Sequence, residues 1–187
     1  MGATIRTFIG LRIAATDALR SVSADLGRMG RAVKITPADK FHLTLKFLGD
    51  TRRSQFDDIA AALRKASSSV SRHAIEIVGL GAFPKSARPA VVWAGVRPAG
   101  EIERLAAILD RLLEPLGFVP ETRPYHPHLT LARVKGDAAG LEEVIEANRE
   151  TPYGSATAAV AELFQSELTP GGSRYTSLAT AELGPGG

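Results

Sequence analysis

Two stretches of this chain carry the same four residues, His42-Leu43-Thr44-Leu45 and His128-Leu129-Thr130-Leu131. Each sets a titratable imidazole and a hydroxyl two residues apart. Alternate side chains of a β-strand point to opposite faces. Each tetrad would therefore show His and Thr on one face and bury its leucines on the other. Two such strands side by side would gather two imidazoles and two hydroxyls around one cleft. Histidine titrates near neutrality and can give or take a proton. Threonine hydroxyls and backbone N–H groups can donate to non-bridging phosphoryl oxygens. In-line hydrolysis of a cyclic phosphodiester needs this equipment. A neutral imidazole takes a proton from water, a protonated one supplies the leaving oxygen, and the donors hold the phosphate. No cofactor and no metal enter that scheme.

One tetrad alone would be explained by a half-exposed strand with a polar face; two copies on matching elements favour a shared site. A metal site is the weaker competitor, because neither tetrad has Asp or Glu at i+2 and two histidines make a poor tetrahedral set. The chain has no cysteine, which excludes a disulfide framework, a thiolate zinc site and a cysteine nucleophile. No G-x-S-x-G elbow marks an activated serine. No phosphate-cradling P-loop or G-x-G-x-x-G element points to a nucleoside triphosphate or dinucleotide.

The 187 residues suggest one domain, 1–187, or two small intimate lobes. With 44% hydrophobic and 23% charged residues the composition is that of a soluble globular protein. No apolar run could span a bilayer and the first ten residues lack a signal-peptide pattern, so the expected location is the cytoplasm. The net charge of +3 mildly favours an anionic partner, but the basic residues are scattered. Nothing indicates an oligomer, and a monomer is expected.

Hydrophobic periodicity places elements around the tetrads. Residues 5–13 read as a strand and 14–29 as a helix capped by Thr16. A short strand over 32–36 and a turn at 37–40 precede the first tetrad strand, 41–48, which Gly49 and Asp50 should end. Ser54 is the expected N-cap of a helix to about residue 69. A strand follows at 73–80, then a loop over 81–89, a strand over 90–96 buried around Trp93, and a helix over 101–116. An extended connector leads to the second tetrad strand at 125–134. A short helix over 141–147 and paired strands at 157–168 and 174–182, joined by Pro170-Gly171-Gly172, complete the chain, with a frayed tail at 184–187. Strand, helix, tetrad strand occurs twice in this order. That pattern suggests a diverged duplication: an α+β fold of two lobes related by a pseudo-two-fold axis, facing each other across a cleft.

The tetrads and their surroundings resemble the two-histidine phosphoesterase superfamily, whose signature is two H-x-[ST]-x motifs. Five segments carry a closer likeness: 41–49 (Phe41 to Gly49), 81–84, 92–95, 123–133 and 168–175. They are similar to the LigT-like branch, the bacterial and archaeal RNA 2′,3′-cyclic phosphodiesterases, also called 2′-5′ RNA ligases. The resemblance runs in order from about residue 5 to 183. It implies a bilobal fold with two antiparallel sheets lining a central cleft and helices outside. It also implies metal-independent hydrolysis of an RNA 2′,3′-cyclic phosphate to a 2′-phosphomonoester, with 2′-5′ ligation as a related reaction. By motif position, His42 would be the proton donor, His128 the proton acceptor, and Thr44 and Thr130 the phosphate ligands. Arginines like Arg133 lie near the nucleotide in that family.

Strict alternation would put Arg133 on the face opposite His128, unless the strand twists or ends there. Lys46 is in phase with His42 and would face the cleft or solvent. Phe41, Tyr125 and His126 are candidate base or rim contacts, and Phe83 and Tyr175 further candidates for stacking. His73 reads as structural or exposed. The partners so implied are RNA ends or nucleotides carrying a 2′,3′-cyclic phosphate. Hydrolysis of a small cyclic nucleotide, and a non-catalytic nucleotide- or RNA-binding module, remain alternatives.

Overall fold

The structure, a computed structural model, describes residues 4–170 and 172–186. Within them nine strands and four helices follow the chain as β1 (Thr4–Arg12), α1 (Asp17–Arg28), β2 (Val33–Ile35), β3 (His42–Arg52), α2 (Phe56–Ser67), β4 (His73–Lys85), β5 (Arg88–Arg97), α3 (Gly100–Leu113), β6 (His128–Val134), α4 (Leu141–Ala147), β7 (Pro152–Ala158), β8 (Val160–Thr169) and β9 (Gly172–Glu182). The strands form one antiparallel sheet, β7-β4-β5-β6-β3-β1-β8-β9, with β2 added to β6. The two sheets expected from the resemblance are the halves of this sheet. They meet where Leu43 of β3 pairs with Leu129 of β6. Strand order is symmetric about that junction: the tetrad strands are innermost, and β1 and β5 lie next to them.

The helices cover one face. Their apolar stripes (Leu19, Leu26; Ile59, Leu63; Leu105, Leu109; Leu141, Ile145) join the inward leucines of both tetrads in a single buried cluster. The helix of one half packs beneath the other. α1, which connects β1 to β2 and so leads to β3, lies against β2, β6 and β7, and α3, which connects β5 to β6, lies against β3 and α2. Thr16 caps α1 by accepting from the Leu19 N–H, as expected, and its hydroxyl also donates to the Tyr153 carbonyl on β7.

Several expectations are corrected. Gly49, in the left-handed conformation, does not end the tetrad strand, because it still pairs with Thr7 and β3 runs to Arg52. Ser54 is not a helix cap; it lies within a 3₁₀ turn, Arg53–Gln55, where the Gln55 side chain accepts the Arg52 N–H. Residues 81–89 are not a loop, since β4 and β5 pair out to Lys85 and Arg88. The strand expected over 157–168 divides into β7 and β8. Gly171 of the expected turn lies outside the described residues, as does Gly187. The tail is docked through Gly184: its N–H donates to the Val70 carbonyl at 2.8 Å and its carbonyl accepts from Arg72 N–H at 2.8 Å. Leu183 is buried.

Candidate active site

Pairing of Leu43 with Leu129 turns both leucines to the helix side. The residues flanking them, His42 and Thr44 on β3 and His128 and Thr130 on β6, therefore lie on the uncovered face, at the junction of the two halves. All four are half-buried. Each imidazole is tethered in the same way. Nδ1 of His42 lies 2.7 Å from the Lys40 carbonyl, and Nδ1 of His128 lies 2.6 Å from the His126 carbonyl. A carbonyl accepts only, so Nδ1 carries the proton in both rings and Nε2 is left to act in the cleft.

Each ring stands in an aromatic wall of its own half. His42 lies 4.9 Å from Phe8 and is edge-on to Tyr175 at 5.2 Å. His128 is edge-on to Phe83 at 4.9 Å, with Trp93 at 6.1 Å. Two glycines make room. A Cβ on Gly10 would lie 2.8 Å from the Leu43 carbonyl and 3.4 Å from the His42 ring, and one on Gly81 would lie 2.2 Å from the Trp93 indole. Trp93 is thus a half-buried wall of the cleft and not the core residue expected.

Burial lowers the pKa of His42, and the positive charges of Arg12, His128 and Arg133 add to that against the opposing bond to Lys40. Burial also lowers His128, with His126 contributing in the same sense. Among the described residues no group of three or more His, Cys, Asp or Glu gathers to hold a metal ion.

Two β-bulges decide what else faces the cleft. On β6, Thr130 pairs with Trp93 and Ala132 with Val92, which leaves Leu131 as an extra residue. Both Leu131 and Ala132 are consequently buried. The phase of the strand is reversed beyond the bulge, and Arg133 comes round to the face of His128 and Thr130. On β3, Thr44 pairs with Gly10 and Lys46 with Ile9, leaving Leu45 extra. The same reversal sends Lys46 to the helix side. It is 8% exposed, ion-paired with Asp110 of α3 and donating to the Val119 carbonyl at 2.8 Å. The expectation that Lys46 faces cleft or solvent is therefore wrong.

The structure does not bring Phe41 to the cleft: it is 2% exposed in the core. Tyr125 is half-buried, and its hydroxyl donates to the Thr44 carbonyl at 2.7 Å. Burial pushes its pKa up. It ties the connector before β6 to the first tetrad strand, and its hydroxyl proton is committed to that bond. His126 is exposed at the rim, 5.0 Å from Trp93. His73 sits away at the start of β4, with Nδ1 2.8 Å from the Ser71 carbonyl.

A family model for the 2′-5′ RNA ligase superfamily matches residues 19–168. The chain belongs to the 2′-5′ RNA ligase superfamily. It is 39% identical to a protein of Aeropyrum pernix over 82% of this chain and 88% of that one, and 34% identical to a protein of Methanothermobacter thermautotrophicus over 89% and 88%. Both relatives bear the name RNA 2′,3′-cyclic phosphodiesterase. Among solved structures, a Thermus thermophilus protein superposes with a TM-score of 0.80 at 26% identity, covering 96% of this chain and 98% of that one. Escherichia coli LigT in its apo form gives 0.75 at 24%, covering 98% and 99%, a likeness of fold.

In this member of the superfamily, sequence reasoning missed Phe47. It follows Lys46 beyond the β3 bulge and pairs with Phe8, so it stands on the cleft face, 74% exposed, with its ring 6.2 Å from Phe8. Phe47 on β3 and Arg133 on β6 hold the same place, five residues after their histidines. The signal was present in the paired sequences HLTLKF and HLTLAR, but only the bulge gives it meaning. Arg12 was missed as well. It pairs with His42 across β1 and β3 and forks onto Glu162 at 2.9 and 3.2 Å.

Proposed function

We propose that this chain hydrolyses the 2′,3′-cyclic phosphodiester ends of RNA to 2′-phosphomonoesters, without a metal ion, using His42 and His128 as the proton-transfer pair. The carrying observation is the pair of imidazoles on one open face, each tied by Nδ1 to backbone so that Nε2 is its working atom. The name borne by the relatives from Aeropyrum pernix and Methanothermobacter thermautotrophicus supports the same reaction.

A water oxygen attacks phosphorus as His128 Nε2 takes its proton. The bond from phosphorus to O3′ breaks as His42 Nε2 gives its proton to that oxygen. The 2′-phosphate remains on the ribose. Thr44 and Thr130 donate to the non-bridging oxygens, and Arg133 offsets their growing charge. A 5′-hydroxyl in place of water would form a 2′-5′ linkage by the same steps. His42 must hold a proton that burial and its cationic neighbours oppose in the free protein. The negative phosphodiester restores it, so protonation of the donor is coupled to binding. Phe47 offers an exposed ring beside this centre on which the terminal base can stack.

The chain acts as a single two-lobed domain, derived by duplication of strand, helix and tetrad strand, and works as a monomer in the cytoplasm. No helix among the described residues is long and apolar enough to cross a membrane.

The test uses purified protein, EDTA and an oligonucleotide ending in a 2′,3′-cyclic phosphate, with the product identified by phosphorus NMR. Turnover to the 2′-monoester persists in chelator. His42→Ala and His128→Ala each lower it by at least about 10²-fold, the low end for a positioned acid or base. Normal turnover in either variant removes that histidine from the mechanism, and loss of wild-type turnover in EDTA removes the metal-free scheme.

A further inference from the structure

We infer that Lys34, beside Arg133, forms a second phosphate subsite that holds the internucleotide phosphate preceding the cyclic end, so that an RNA end is preferred over a cyclic mononucleotide. The inference rests on the proposed hydrolysis and deepens it by assigning a residue that distinguishes an RNA end from a mononucleotide.

Lys34 of β2 is directly opposite Arg133 of β6. Residues opposite each other in an antiparallel pair share a face, and the β6 bulge has put Arg133 on the cleft face. Lys34 therefore belongs to that face as well. Like charges directly opposite destabilise a sheet. Among the described residues neither cation takes part in an ion pair, and both are exposed. They are not free to splay apart by moving the strand. β2 is held to β6 by Thr36 N–H on the Leu131 carbonyl at 2.8 Å and by Lys135 N–H on the Ala32 carbonyl at 2.7 Å. A bound anion relieves the repulsion.

The place of Lys34 sets which phosphate it meets. Arg133 is three residues beyond Thr130, at most about 10 Å along a strand at about 3.3 Å per residue. β5 takes one edge of β6 and β3 the other, at Leu129, so β2 shares the edge of β3 and Lys34 stands opposite Arg133, four residues along β6 from that junction. Lys34 is thus too far along from the junction to share the work of Thr44, Thr130 and Arg133, and close enough for the next phosphate of the same chain. The start of β9 closes the far side. A Cβ on Gly172 would lie 3.5 Å from Lys34 Nζ, and Lys40 Nζ donates to the Ser173 carbonyl at 2.7 Å. The result is a short basic track leading from the cleft, with Arg133 between its two ends.

The experiment compares kcat/KM for 2′,3′-cyclic AMP and for a triadenylate ending in a 2′,3′-cyclic phosphate. The wild type prefers the triadenylate at low ionic strength. Lys34→Gln lowers the ratio of the two kcat/KM values by about tenfold, the loss of one charge-assisted phosphate contact, and Lys34→Arg keeps it. The slope of log kcat/KM for the triadenylate against log salt becomes shallower by about 0.7 in Lys34→Gln, as for one lost single-strand phosphate contact. An unchanged ratio in Lys34→Gln overturns the inference. So does a wild type with no preference for the triadenylate, which would assign the cleft to a small cyclic nucleotide. Wild-type turnover of neither substrate is the separate outcome that overturns the hydrolytic reading itself.

Discussion

The two histidines differ from His73 in company rather than in local geometry. All three bond Nδ1 to the carbonyl two residues upstream, so that tether is a property of histidine at the start of an extended run. Only His42 and His128 share a face with each other and with two threonines. Their titration follows from that placement. Both are lowered in the free protein, first by burial. In the proposed mechanism the active form carries one proton on the pair, so it would be most populated below the ordinary value of 6.5. The pH profile of kcat/KM, which reports the free enzyme, is therefore expected to be a bell centred below pH 6.5. In that mechanism a bound phosphodiester would raise the donor, so the profile of kcat is expected to shift to higher pH than that of kcat/KM. Coincident profiles would contradict the coupling of donor protonation to binding, and a kcat/KM bell centred above pH 7 would contradict the lowered titration of the free pair. The stacking role proposed for Phe47 has its own check. Phe47→Ala is expected to lower kcat/KM about tenfold, within the roughly 1–3 kcal/mol of one base–aromatic contact, mainly through KM. A loss confined to kcat would place Phe47 in positioning His42 instead. The tetrads were legible because four identical residues recur. Phe47 and Arg12 were not, because a lone phenylalanine or arginine carries no mark until a strand partner gives it a face.

At the scale of elements, alternation was a sound guide up to the bulges and failed beyond them. Leu45 and Leu131 look like ordinary inward residues of their strands, and nothing in either sequence signals that it is unpaired. The consequence is a polar residue in the core and a hydrophobic one outside. Lys46 is buried against Asp110 and the Val119 carbonyl, and Phe47 is open. The Lys46 contact ties β3, α3 and the connector before β6, the three pieces that set the first tetrad strand against the second. Lys46→Ala leaves the Asp110 carboxylate, 24% exposed at its side chain, without its ion partner. It is expected to destabilise the fold by about 3 kcal/mol, the low end for breaking a buried pair, read as a lower urea midpoint. Lys46→Ala with an unchanged midpoint would show that the pair contributes little net stability. The 81–89 segment failed for a related reason. Its glycine and prolines read as a loop, yet Gly81 is the place where Trp93 crosses the sheet and needs bare backbone. A residue chosen for a close approach looks the same in sequence as one chosen for a turn.

Across the whole molecule, the repeated strand-helix-strand order made two halves visible, but the sequence could not show how they interlock. Helix periodicity gives the apolar stripe, not the sheet it meets. In the structure α1 lies under β6 and β7 of the opposite half, and α3 lies under β3. One cluster of buried side chains runs through both halves. Neither half can therefore lose its strands without uncovering a helix of the other. The docked tail adds to this, since Leu183 and Gly184 bond to Ala159 and Val70 from different halves of the sequence. Thermal unfolding is expected to be a single transition, with the calorimetric and van't Hoff enthalpies equal. Removal of residues 183–187 should lower the midpoint of that transition without dividing it. The site makes the same demand. His42 and His128 keep their spacing only while Leu43 faces Leu129, one pairing between halves that the helices beneath hold together. Two separable transitions, or loss of activity on heating well before loss of secondary structure, would mean that the junction opens while each half stays folded.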